Sequence, residues 1–145
     1  MTTEPSFQFQ RAMPVLDCTD MGRSIAFYKD KLGFDAAVWG EPVSFAIMQR
    51  GLVTIALAKV DAGKAAVSRN WAAYVHVTDV DALYAEFMSL GVVVPEPPET
   101  RDYNCRDFLV DDPDGHMIAF GQVIELDPLG PGLSDRVGRD AWRSL

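Results

Sequence analysis

The chain has 145 residues, 48% hydrophobic and 23% charged, which suits one domain with its own core. A net charge of −8 argues against nucleic acid and anionic membrane surfaces, both of which call for basic patches, and no apolar run reaches the ~18 residues of a membrane span. Met1 to Gln10 is polar and lacks the apolar stretch of a secretion signal. Cys18 and Cys105 suit neither a disulfide framework nor a metal pattern, so the expectation is free thiols in a reducing cytosol.

After a polar arm over 1–10, Ala12 to Leu16 reads as a short buried strand, with Pro14 pointing to a strand edge or end. Thr19 or Asp20 then caps a helix over about Met21 to Lys31, with Ile25, Tyr28 and Leu32 as its buried stripe and Gly33 as its stop. Three strands follow at Phe34 to Trp39, Val43 to Gln49 and Val53 to Lys59. The turns between them are Gly40-Glu41-Pro42 and Arg50-Gly51. Val60 to Asn70 reads as a linker.

The pattern then starts again. Cys18-Thr19-Asp20 is matched by Val77-Thr78-Asp79 and Leu32-Gly33-Phe34 by Leu90-Gly91-Val92, at offsets of 59 and 58 residues. A repeat of that length is a supersecondary unit used twice, because a solenoid would need three or more shorter ones. The second copy gives a strand at Trp71 to Val77, a helix at Val80 to Leu90 and a short strand at Val92 to Val94. Glu96-Pro97-Pro98-Glu99 is loop. A hairpin, Cys105 to Val110 and Met117 to Gln122, closes the copy around Asp112-Pro113-Asp114-Gly115, where proline presets one turn residue and glycine accepts positive φ. The expected organisation is one α+β domain over 11–122, made of tandem βαβββ units at about 11–59 and 71–122.

Such a pair, with its Phe-Tyr…Leu-Gly-Phe helix end and final Asp-Pro-Asp-Gly-His, resembles the vicinal oxygen chelate superfamily: glyoxalase I, extradiol dioxygenases, and bleomycin and fosfomycin resistance proteins. The resemblance covers about Arg11 to Gln122 and implies a curved mixed sheet around a cleft. It also implies a divalent metal held by His and Glu, at positions that fall here on Met13, Ala56, Ala73 and Ala119. Three of these have no donor atom and a Met thioether is a poor ligand for such an ion, so no metal or other cofactor is expected. Of the two histidines, strand alternation turns His76 away from the cleft, and His116 follows the turn glycine and reads as exposed.

With Met and Ala at those positions, Met13, Val15, Thr54, Ala56, Ala58, Ala73, Val75, Met117 and Ala119 would share an open, mostly apolar inner face. Trp39, Phe45, Tyr103 and Phe108 are candidate ligand aromatics, each also readable as core. Asn104 and Arg106 are candidate polar contacts, although Arg106 reads equally well as the partner of Asp107 or of a surface acid. This pattern is similar to the metal-free bleomycin resistance branch. That likeness implies sequestration of a cationic or aromatic small molecule by a homodimer that exchanges N-terminal arms, with Pro14 compatible with the hinge.

The alternative is a superfamily enzyme of lyase, isomerase or dioxygenase type, with a non-standard metal or none, using groups such as Asp17, Tyr103 or Arg106 as acid and base. No Ser-His-Asp or Cys-His set is visible, Cys105 has no evident base, and there is no glycine-rich phosphate loop. Beyond 122 the breaker cluster Asp127 to Gly132 precedes a segment, Ser134 to Leu145, readable as a short helix anchored by Trp142 or as a frayed end.

Overall fold

In the computed structural model, which describes residues 6–124, the aspartate of each repeated Thr-Asp is a helix cap. Asp20 accepts the backbone N–H of Arg23 at 3.1 Å and Asp79 that of Ala82 at 3.0 Å, each satisfying a donor that the first helical turn leaves unpaired. The helices so started are α1 (Met21–Ala26) and α2 (Val80–Ser89). The first continues as a π-helical turn over Phe27–Lys31, where the wider winding lets the Leu32 N–H reach back five residues to the Phe27 carbonyl at 3.2 Å.

Around them the strands are β1 (Val15–Cys18), β2 (Asp35–Trp39), β3 (Phe45–Arg50) and β4 (Val53–Lys59) in the first unit. The second unit has β5 (Ala73–His76), β6 (Glu99–Thr100), β7 (Cys105–Asp111) and β8 (Met117–Val123). The sheets have the same order, β1-β4-β3-β2 and β5-β8-β7-β6, with the first strand of each unit parallel to its neighbour and the others antiparallel. The α+β architecture of tandem βαβββ units is therefore the one present. The expected strand at Val92 to Val94 is not: Val92 donates to the Phe87 carbonyl at 3.0 Å as part of the hook that ends α2, and its side chain is buried. The second unit's edge strand is instead Glu99–Thr100, beyond the prolines and including a residue assigned to the loop.

Each sheet buries one face against its helix. In the first, Leu16, Cys18, Ala46, Met48, Ile55 and Leu57 point inward onto Tyr28 and Leu32. In the second, Phe108 and Phe120 pack edge-on against Phe87 of α2, with ring centroids 5.9 and 5.2 Å away. The inward residues of both units belong to one continuous core.

Two polar seams tie the units together. At one end, the β7–β8 turn folds back on β1 and α1. The buried Tyr28 hydroxyl donates to Asp112 at 2.9 Å, Thr19 donates through its backbone and hydroxyl to Asp114, and Nε2 of His116 lies 2.7 Å from the Asp17 carbonyl. His116, expected to be exposed, is only 2% exposed because the turn that carries it is packed against the other unit. Asp112 organises the turn as well, accepting the N–H groups of Asp114 and His116 at 3.0 and 2.9 Å, while Gly115 supplies φ of 89°. At the other end, Arg50 forms a two-pronged pair with Glu86 at 2.7 and 3.0 Å and also caps the Leu32 carbonyl at 2.8 Å.

Beside this second seam lies a groove of about 1450 Å³. Ala12 and Pro14, where the chain enters the first sheet, line it together with Val123 and Ile124, where the chain leaves the second. The linker crosses above β1 and is tethered there by the Ala66 N–H donating to Asp17 at 2.8 Å.

Candidate functional site

The pairing register assigns every strand residue to the helix side or to the open side of its sheet. On the open side of the first sheet, Phe45 lies beside Ala58 and Trp39, Ile47 beside Ala56, and Thr54 beside Gln49, with Val15 next to Ala56. Of the anticipated ligand contacts, Trp39, Phe45, Thr54 and Ala56 thus come together. The Trp39 and Phe45 rings are 5.9 Å apart, and Trp39 and Val15 remain 51% and 56% exposed. Met13 is part-buried just before β1. Among the described residues the linker reaches only the β1 end of this apolar face, at Asp17, which leaves the Trp39 and Phe45 end as a surface for something else to contact.

The second sheet corrects the expected phase of β5. Ala73 pairs with Ile118 and Val75 with Phe120, on the helix side, whereas Tyr74 pairs with Ala119 and His76 with Gly121 on the open side. His76 was expected to face away from the cleft and does the reverse. The cause is a one-residue miscount from the Thr-Asp signature, which in a strand exchanges the two faces. Ala73 still reaches the groove between the units, as does Thr54.

Phe108 and Arg106 are also turned from the open face. Phe108 is buried among Phe87, Phe120 and Tyr84, and Arg106 pairs with Asp81 of α2 at 3.0 Å rather than with Asp107. Asn104 is a turn residue with φ of 63°, a conformation asparagine tolerates, and its backbone accepts from Ile124 at 3.0 Å.

Ala119 and Tyr103 remain on the open side, and around them is a cluster that the sequence pattern did not single out. Asp107, 2% exposed, accepts from the Tyr74 hydroxyl at 2.9 Å, the Tyr103 hydroxyl at 2.5 Å and Nε of Arg101 at 2.9 Å. Tyr74 starts on β5 and crosses above β8 to reach β7. It can do so because residue 121 is glycine: a Cβ there would lie 2.0 Å from the Tyr74 oxygen. Trp71 packs 4.8 Å from the Tyr74 ring and 6.3 Å from that of Tyr103, and His76 lies 5.0 Å from Tyr74. The missed signal was the Tyr-x-His alternation of β5 read together with Gly121.

Electrostatics keep these groups in fixed states. Burial, followed by hydrogen bonding to Cys105 and Asp107, pushes the Tyr74 hydroxyl far above an ordinary phenol. Burial and the Asp107 contact do the same to Tyr103. Both phenols are neutral donors toward the carboxylate at any physiological pH. Cys105 is a buried thiol raised chiefly by desolvation, which makes it a poor nucleophile. Of the three groups considered for acid–base chemistry, Asp17 is tethered to the linker, Arg106 is engaged with Asp81, and Tyr103 has committed its proton to Asp107.

The family's metal does not fit this donor set. Ala56 and Ala119 sit on the open faces with no donor atom, the corrected register puts Ala72 rather than Ala73 on that side, and Met13 offers only a thioether. Among the described residues, no three His, Cys, Asp or Glu side chains gather as a metal site.

The model of the Glyoxalase/Bleomycin resistance protein/Dioxygenase superfamily matches residues 12–120. The chain belongs to that superfamily. Among its relatives, bleomycin resistance proteins of Geobacillus stearothermophilus and of Staphylococcus aureus are each 28% identical over 131 residues, covering 79% of this chain and 98% of theirs. The bleomycin-binding protein of bleomycin-producing Streptomyces verticillus, solved with copper(II)-bleomycin, is 26% identical, with a TM-score of 0.63 over 79% of this chain and 96% of that one. A lactoylglutathione lyase from Agrobacterium tumefaciens shares the superfamily fold at 18% identity, with a TM-score of 0.62 over 83% of this chain and 96% of its own. The described helices include none long and apolar enough to cross a membrane.

Proposed function

We propose that the protein binds a small organic molecule on the open sheet faces without a metal of its own, and protects by sequestration, with bleomycin-type compounds as the first ligands to test. The observation that carries this reading is the uncovered aromatic and apolar face formed by Trp39, Phe45, Ile47 and Val15, on a chain whose curated relatives are bleomycin resistance proteins. The rings of Trp39, Trp71 and Tyr74 offer stacking surface for a planar or bulky ligand. The net charge of −8 favours a cationic ligand over an anionic one. The same uncovered face supports a homodimer in which a second copy closes over it.

Titration with metal-free and copper(II)-loaded bleomycin, followed by calorimetry and tryptophan fluorescence, tests the reading. Saturable binding, weakened at least tenfold by Trp39→Ala, is the expected result. Absence of binding to either form, with the protein folded, would overturn it in favour of another ligand or of catalysis.

A further inference from the structure

We propose that the second sheet carries a recognition subsite selective for ligand groups that donate hydrogen bonds, and that Asp107 positions it. This rests on the proposed function only in assigning the open face to ligand, and is independent of which compound binds. A phenol hydroxyl has one proton to donate and two lone pairs to accept with. In Tyr74 and Tyr103 both protons are spent on Asp107, at 2.9 and 2.5 Å, so toward the cleft the two oxygens can only accept; the Cys105 thiol already takes one lone pair of Tyr74, which leaves Tyr103 the greater accepting capacity. The carboxylate is anchored from its other side by Arg101, which is itself paired with Glu99 at 3.2 Å, so it cannot turn away and release the tyrosines.

The shape of the subsite follows from Gly121. Without a side chain at 121, the Tyr74 ring crosses directly over β8, with Trp71 and Tyr103 beside it. A planar ligand group can therefore rest against aromatic surface while its N–H or O–H reaches a phenol oxygen. An ester or ether oxygen placed there would meet lone pairs and lose its hydration without compensation, which costs more than the matched bond gains. Asp107 is 2% exposed and acts through the tyrosines, so it is a positioning residue rather than a ligand contact.

The test uses simple probes on the full chain: benzamide and benzyl alcohol as neutral donors, benzylammonium as a charged donor, methyl benzoate as an acceptor only and toluene as neither. Binding is read from the Trp71 indole N–H resonance, assigned by its loss in Trp71→Phe. Wild type is expected to prefer the donor probes over methyl benzoate by about tenfold, with benzylammonium against benzamide telling a charged from a neutral donor. Asp107→Asn gives the tyrosines a partner that can itself donate, freeing their protons to turn outward. It should lift methyl benzoate toward benzamide while the near-ultraviolet circular dichroism stays native.

Should Asp107→Asn fail to fold, Tyr103→Phe carries the test, since it should weaken benzamide and leave toluene unchanged. Equal binding of methyl benzoate and benzamide to wild type would overturn the proposal. So would an indole resonance unmoved by every probe, or a folded Asp107→Asn that keeps the wild-type preference. Failure of bleomycin to bind alongside selective donor binding would sink the ligand assignment and leave the subsite standing. Bleomycin binding with no response at Trp71 would do the opposite.

Discussion

Single side chains set how firmly the two units hold each other. The Tyr28 hydroxyl is buried, and burial together with Asp112 pushes it far above an ordinary phenol, so it stays a donor. Tyr28→Phe keeps the ring and its edge-on contact with Phe34 but strips a largely buried carboxylate of one partner. The expected loss is about 1–3 kcal/mol in urea unfolding, with no change in the slope of the transition. The opposite seam is weaker, because Arg50 and Glu86 are each more than a third exposed. Hydrogen bonding to Arg50 holds the Glu86 carboxyl below its ordinary value of 4.5. A lowered folded value means a contribution that is full above about pH 4.5 and lost as pH falls through the folded value. Glu86→Gln should therefore cost roughly 0.2–1 kcal/mol at pH 7 after solvent screening, and that gap should close in acid. A gap that persists there would assign the effect to packing instead.

At the level of strands and helices, legibility depended on whether a local rule had one answer. The two Leu-Gly stops and the Asp-Pro-Asp-Gly hairpin each had one, and each is in place; the first helix cap had two candidates, Thr19 and Asp20, and Asp20 fills it. Strand phase had two: alternation in Trp71 to Val77 hung on a count from Thr-Asp that was one residue off, and apolar and aromatic residues on both faces gave no check on where Tyr74 and His76 point. Phe108 and Arg106 were open to either reading for the same reason, since each has a satisfactory partner on the helix side, namely Phe87 and Asp81. The Asp107 cluster escaped because Tyr74 joins it from another strand, 33 residues away, across a glycine, whereas Arg101, Tyr103 and Asp107 alone read as an ordinary local turn. That glycine supplies the element-scale test. Gly121→Ala must displace the Tyr74 ring, so it should destabilise wild type by about 1–3 kcal/mol, as expected for overpacking. It should cost much less in a Tyr74→Ala background, where the obstruction is gone. Equal costs in both backgrounds would mean that the ring does not depend on residue 121.

For the molecule as a whole, the duplication was readable at once, while what covers the open faces was not, because a contact made from outside leaves no periodic trace in one chain. If a second copy covers Trp39 and Phe45, light scattering should give twice the 16.0 kDa chain mass, and Trp39→Glu should return it to the monomer. The expected tail over 123–145 lies almost entirely outside the described residues, Trp142 included. The groove has a different consequence. Entry at Ala12 and exit at Ile124 share its walls, while Gly63 and Lys64 lie exposed in the crossing between the halves. Fusing Leu145 to Met1 and reopening the backbone between Gly63 and Lys64 would present the later half to the ribosome first. Such a permuted protein should show the same amide-exchange protection in β4 and β8 as the parent. Birth order would then be incidental to its shape, as expected of a molecule built from one idea used twice.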